Sequence, residues 1–196
     1  ILWNDTRSYK ECYEFENQSF DVREISGNIA MPGFTAPKIN WIKNNELESF
    51  NKIFKILLPK DYLRYYLTGE LYSEMSDASG TLWLDIKKRK WSEKLLSCSF
   101  LDEQNMPKLV EGNDPTGILK KTLKNKFNFQ NDVIVVGGAG DNAAAAMGMG
   151  IVNENQSFIS LGTSGVFFTP TQEFLTNTND AVHSFCHCLP NKWHLM

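Results

Sequence analysis

Four consecutive apolar β-formers, Val133-Ile134-Val135-Val136, run directly into Gly137-Gly138-Ala139-Gly140-Asp141-Asn142, and no other stretch constrains the fold as tightly. A short, uninterrupted apolar run closed by turn residues predicts a strand buried on both faces, as in the sheets of α/β proteins. The glycines end that strand sharply, and the small residues from Ala143 to Ala146 start a helix with small residues continuing to Gly150. Strand, glycine turn and helix in this order put Asp141 at the carboxyl end of a strand, where α/β sheets bind their ligands.

Two familiar nucleotide sites are excluded at this turn. Gly138-x-Gly140-x-x-Ala143 fits a relaxed dinucleotide fingerprint, but the acidic residue that should follow on the next strand is absent: the region reads Ser160-Leu161-Gly162. A phosphate-binding P-loop would need Gly-Lys-Ser/Thr after the glycines, and none is present. Spacing leaves two readings of Asp141 open. At the head of a helix its carboxylate is favoured by the macrodipole and can accept from free backbone N–H groups. Equally, glycines that let a ligand approach the backbone would leave Asp141 free to take a proton from a hydroxyl attacking phosphorus, with the Asn142 amide orienting the substrate.

Downstream, Ser157–Leu161 and Val166–Phe168 read as two strands of a hairpin joined by Gly162-Thr163-Ser164-Gly165. Successive backbone N–H groups in such a turn can form an anion-binding concavity, and the two hydroxyls add donors without charge. Taken alone the motif is a plain β-turn.

The remainder reads as short helices and loops. Ile1–Trp3 is a short apolar strand and Tyr9–Phe20 an amphipathic helix. Thr35 caps a helix with Pro37 in its first turn and Ile39, Trp41 and Ile42 inward. A second helix runs through Leu47, Phe50 and Phe54; Ile53–Leu58 is either its end or a buried strand. Asp61–Leu67 is a helix stopped by Gly69. Met75–Asp85 is a connection anchored by Leu82-Trp83-Leu84, Ser92 starts another helix, and 102–117 form a loop rich in proline and glycine.

A chain of 196 residues, 42% hydrophobic and 22% charged, can bury a real core, and its net charge of −3 argues against a general nucleic-acid binder. The basic run Lys87-Lys88-Arg89-Lys90 lies between Asp85 and Glu93 and reads as a solvated turn. No window is long and apolar enough to span a bilayer, so no membrane partner is expected. The four cysteines have irregular spacing and fit a reducing cytoplasm. Cys186-His187-Cys188 is not read as a metal site, because alternation along a strand would point His187 away from both cysteines. The apolar ends of the chain suggest the middle of a longer protein.

Here the residues carry a family resemblance. GGAGDNAAAAMGMG followed by SLGTSGVFF resembles the junction of the two domains in the FGGY carbohydrate kinases, and the segment from Gly33 through Asn45 fits that family's N-terminal-domain signature. GNIAMPGFTAPK, LLPKDYLRYYLTGE, MSDASGTLWLDIKKRKWSEKLL and AVHSFCHCLPNKWHLM are similar to the bacterial xylulokinase branch of that family. The resemblance runs from Ile1 to Met196.

The resemblance implies an α/β, actin-like (ribonuclease H-like) ATPase fold, with 1–150 the latter part of the sugar-binding N-terminal domain and 151–196 the start of the nucleotide-binding C-terminal domain. It implies phosphorylation of D-xylulose from ATP and Mg2+. Asp141 matches the catalytic base, Asn142 a sugar contact, Gly162 and Thr163 the turn that meets the nucleotide phosphates, and Trp3 a substrate-packing position. It implies a small-molecule partner, and it leaves a homodimer open. Glycerol kinases carry Tyr at the position of Gly33 and Phe at that of Val166, so the smaller residues favour a longer ketose. Ribulose, gluconate or glycerol kinases, or an actin-like ATPase switch, are the alternatives. The family's Asp-x-Gly-Thr-Ser phosphate turn, Met-His sugar loop and Gly-rich adenosine site do not occur in these residues, so the chain by itself is expected to be inert.

Overall fold

A computed structural model of the chain describes residues 1–162 and 164–196. In chain order it holds helices α1 (Tyr9–Glu16), α2 (Val22–Ser26), α3 (Thr35–Asn45), α4 (Leu47–Phe50) and α5 (Pro59–Thr68). Strand β1 (Tyr72–Glu74), helix α6 (Met75–Ser79), strands β2 (Leu84–Asp85) and β3 (Lys90–Trp91), and helix α7 (Glu93–Ser97) follow. Next come β4 (Lys108–Val110), β5 (Pro115–Ile118), α8 (Lys121–Lys126), β6 (Ile134–Val136) and α9 (Asp141–Met149). The chain finishes with β7 (Phe158–Leu161), β8 (Gly165–Thr171), β9 (Ser184–Cys186) and β10 (Trp193–Leu195).

Local chemistry explains several of these boundaries. Pro59 opens α5 with a ring already fixed near helical φ, and Asp61 accepts from the Leu58 N–H at 3.3 Å. Gly69 closes α5 at φ 88°, a left-handed conformation that glycine takes without a Cβ clash. Ser92 caps α7 by accepting from the Leu95 N–H. The hairpin expected at 157–168 is present, with Phe158 opposite Phe168.

β7, β8, β10 and β9 form one antiparallel sheet, β1 runs parallel to β4, and β2–β3 and β5–β6 are antiparallel pairs. The core centres on Trp83, fully buried with Leu82, Leu84, Phe15, Leu95 and Leu96. Its indole N–H donates to Ser99 Oγ at 2.9 Å, so the large ring is buried without an orphaned donor. Phe185 and Cys186 join the same core, fastening the last two strands onto the helical part. All four cysteines are free thiols. No helix among the described residues is long and apolar enough to cross a membrane.

Several sequence expectations are corrected. β6 is not buried on both faces: Ile134 and Val136 are 61% and 46% exposed, because β5 is its one strand neighbour among the described residues. Ile1–Trp3 forms no strand, and α1 ends at Glu16. In α3 the buried residues are Ala36, Pro37, Lys38 and Asn40; Ile39 packs half-buried against the core as expected, Trp41 and Ile42 are half-buried, and Phe34 rather than Thr35 is the cap. α4 stops at Phe50, and 53–58 is neither helix nor strand. The Met75–Asp85 connection contains α6 and β2, and the 102–117 loop contains β4 and the start of β5. Lys87 and Lys88 are solvated as expected, whereas Arg89 turns inward and pairs with Glu111 at 2.6 Å.

Candidate active site

The glycine turn ahead of α9 is held from several sides. Gly137 donates to the Asp114 carbonyl at 2.9 Å, and Gly138 donates to the Gly112 carbonyl at 2.8 Å. The Arg64 guanidinium, buried beside Asp61, donates to the Gly137 carbonyl. A Cβ on Gly137 would overlap the Glu111 carbonyl, and one on Gly112 would stand 2.5 Å from the Gly138 oxygen. Glycine is required at both positions because backbone passes against backbone.

Gly140 is the N-cap of α9 and has no side chain to offer, and its N–H donates to Ser76 Oγ at 2.9 Å. Ser76 Oγ in turn donates to the carboxylate of Glu74, 2.9 Å away. Glu74 is fully buried, yet it is well satisfied: it accepts from the N–H groups of Ser76 and Asp77 and from Lys60 Nζ at 2.7 Å. A buried charge with this many donors is tolerated, and it fixes the start of α6 against the start of α9.

Asp141 is the first residue of α9 rather than its cap. Its Oδ1 accepts from the Asn142 N–H at 2.8 Å and from Asn142 Nδ2 at 3.3 Å, and the side chain is exposed. Oδ2 accepts no hydrogen bond among the described residues. The carboxylate thus faces solvent at the positive end of a helix with acceptor capacity left, which suits a group that must meet a substrate hydroxyl.

Asp141, Asn142 and Gly140 line a cleft of about 150 Å³ together with Ser76, Asp77 and Gly80. Trp3, Gly33 and Lys38 line a neighbouring cleft that also includes Asp77 and Gly80. Trp3 is 76% exposed, so its indole is free to pack against a ligand. Lys38 is buried, its ammonium donates to the Gly33 carbonyl at 3.0 Å, and burial holds its pKa below the ordinary lysine range. A Cβ on Gly33 would meet the Trp3 carbonyl at 3.4 Å, so the backbone would admit a side chain there and its absence leaves the cleft wider.

Asp141 and Asn142 therefore share one cleft, and Trp3 stands on the adjoining one. Gly162 and Val166 lie on the β7–β8 hairpin and line neither. The Gly162 N–H donates to the Ser164 carbonyl at 3.0 Å, so an anion at this turn would have to use other amides or displace that bond. Thr163 lies outside the described residues. Sequence reasoning missed Glu74, Ser76 and Asp77; the available signal was Glu74 followed two residues on by Ser76, an acceptor placed to cap a helix.

His187 lies one residue beyond β9, so strand alternation does not govern it, and its Nδ1 is 3.5 Å from Cys188 Sγ. His194 stacks on Phe168 with ring centres 4.3 Å apart. Burial pushes the pKa of His187 down to about 4 and that of His194 to about 3. These rings are packed as neutral aromatic groups.

The family model for the FGGY family of carbohydrate kinases, N-terminal domain, matches residues 1–148. The whole chain aligns with the xylulose kinases of Escherichia coli K12 and Klebsiella pneumoniae at 51% and 49% identity. A crystal structure of a xyloylose kinase from Brucella ovis superposes on all of this chain with a TM-score of 0.97 and 52% identity. The chain spans about 40% of the length of each of these relatives. The actin-like α/β fold expected from the sequence is thus the fold observed.

Proposed function

The chain belongs to the FGGY family of carbohydrate kinases, and on that premise we propose that the protein carrying it transfers the γ-phosphoryl group of Mg-ATP to the 5-hydroxyl of D-xylulose. Products are D-xylulose 5-phosphate and ADP. The observation that carries this reading is the cleft in which Asp141 and Asn142 stand side by side at the start of α9. Identity near 50% to xylulose kinases along the full chain supports the choice of sugar.

In this reading Asp141 accepts the proton of the attacking hydroxyl while Asn142 orients the sugar and Trp3 packs against it. Phosphoryl transfer passes through a loose transition state, so positioning outweighs acid–base help, and the fixed turn at 137–140 supplies that positioning. Mg-ATP enters as co-substrate. Gly162 and Thr163 are assigned to its phosphates by their place in the family pattern. Residues 1–150 belong to the sugar-binding domain and 151–196 to the nucleotide-binding one, a division supported by a family match that ends at residue 148. The chain spans about 40% of the length of these kinases, which supports the expectation that turnover needs the complete protein. A cytoplasmic location is supported by the four free thiols.

Gly33 favours a pentulose over glycerol, since the residue leaves the Trp3 cleft open. The test is ATP turnover by the complete kinase with D-xylulose, ribulose, gluconate and glycerol. D-xylulose should give the highest kcat/KM, and equal or better use of glycerol contradicts the proposal.

A further inference from the structure

Asp77 occupies the seam between the two clefts. It and Gly80 line both the cleft of Asp141 and Asn142 and the cleft of Trp3 and Gly33. The contact with the catalytic turn is close: a Cβ on Gly140 would stand 3.8 Å from the Asp77 backbone. A ligand that reaches from the Trp3 indole to the Asp141 carboxylate must pass this pair.

The state of the Asp77 side chain is unlike that of its neighbours. Glu74 is saturated with donors, whereas the Asp77 oxygens accept no hydrogen bond among the described residues. Lys60 Nζ stands 3.6 Å from Asp77 but only 2.7 Å from Glu74, to which it is bonded. The Asp77 side chain is 30% exposed, open to the cleft. Burial raises its pKa to about 6; Lys60 opposes that rise, and the charges of Glu74 and Asp61 add to it. Asp77 is thus ion-paired with Lys60 only at the long distance of 3.6 Å, which leaves a half-buried carboxylate with the acceptor capacity that a ligand-binding group requires.

We propose that Asp77 is a specificity-determining residue of the acceptor site, accepting a hydrogen bond from a sugar hydroxyl other than the one phosphorylated, and that Gly80 keeps the passage between the clefts open. The inference rests on the sugar-kinase reading above. Asp141 stays the base; Asp77 grips the part of the polyol that extends toward Trp3.

The test is steady-state kinetics of the complete kinase and its Asp77→Asn and Gly80→Val variants, with D-xylulose and ATP varied in turn. A hydrogen bond to a charged acceptor corresponds to roughly 10–100-fold, so D77N should raise the KM for the ketose by about that factor. The KM for ATP should stay within about twofold, and the melting temperature of the unliganded variant should not fall. Gly80 has φ −76°, a conformation side chains adopt, and a Cβ there would stand 3.4 Å from the Asp77 carbonyl, within ordinary van der Waals contact, so G80V should fold and should raise the same KM by obstructing the seam. If D77N misfolds, G80V decides. Unchanged ketose KM in the folded variants overturns this inference alone, as does an equal rise in both KM values. No sugar-dependent ATP turnover by the unsubstituted enzyme overturns the kinase reading and this inference with it.

Discussion

Gly140 donates its backbone N–H to the Ser76 hydroxyl at 2.9 Å, which ties the residue before Asp141 to the buried carboxylate of Glu74. Removing the hydroxyl leaves the Gly140 N–H without its partner and lets the start of α9 drift. If Asp141 is the base as proposed, Ser76→Ala should lower kcat by roughly 10–100-fold by misplacing it, and should cost about 1 kcal/mol of stability. Ser76→Thr keeps an oxygen in place and should recover most of the rate. Steady-state kinetics with urea unfolding checks both effects; an unchanged kcat in the alanine variant would show that the link is not used.

Gly112 and Gly137 cross at backbone distance, and neither has room for a methyl group. Gly137→Ala or Gly112→Ala should destabilise the fold by about 3 kcal/mol or more, because backbone rather than a flexible side chain must move. Gly33→Ala, with its nearest neighbour at 3.4 Å, should be tolerated. Thermal melts of the three variants test the contrast.

Buried histidines make the fold acid-sensitive in a defined window. His187 and His194 titrate near 4 and 3 in the folded state against an ordinary value of 6.5. The unfolded chain therefore binds protons below pH 6.5 that the folded chain refuses until it nears pH 4. Stability is fully present above 6.5 and falls as pH drops through that interval, by up to about 1.4 kcal/mol per pH unit for each ring. His194→Phe, which keeps a ring against Phe168, should flatten the dependence of melting temperature on pH between 6.5 and 4.

The strand, glycine turn and helix around Asp141 were legible because local chemistry sets them: β-branched residues, then glycines, then alanines. Helix ends at Gly69 and Ser92 were legible for the same reason. The exposure of β6 is not legible in the same way, because burial on two faces depends on which neighbours are present, the described residues supply only β5, and the chain spans about 40% of its relatives' length. The Glu74–Ser76–Gly140 link joins residues more than sixty apart in sequence, and no local pattern announces such a contact. Asp77 was overlooked because Met75–Ser79 is rich in small and polar residues and reads as a connection. It becomes a short helix once Glu74 accepts from its first amides.

Asp77 also yields a prediction on stability. Its carboxyl is raised from 3.8 to about 6 on folding, so the folded state holds a proton there that the unfolded chain releases. The ionised form is thus a cost to folding that grows from pH 4 to pH 6 and is constant above. Asp77→Asn should raise the melting temperature at pH 7.5 by a few degrees, corresponding to about 1 kcal/mol after allowance for solvent screening, with little gain at pH 4. Equal shifts at both pH values would contradict this assignment.

The role of Asp141 is tested most directly by Asp141→Asn in the complete kinase, with D-xylulose phosphorylation and ATP affinity measured side by side. General-base assistance is typically worth ~10²–10⁴-fold, so kcat should fall by at least about 100-fold while ATP binds nearly as before. Near-unchanged turnover would remove Asp141 from the chemistry and contradict the account.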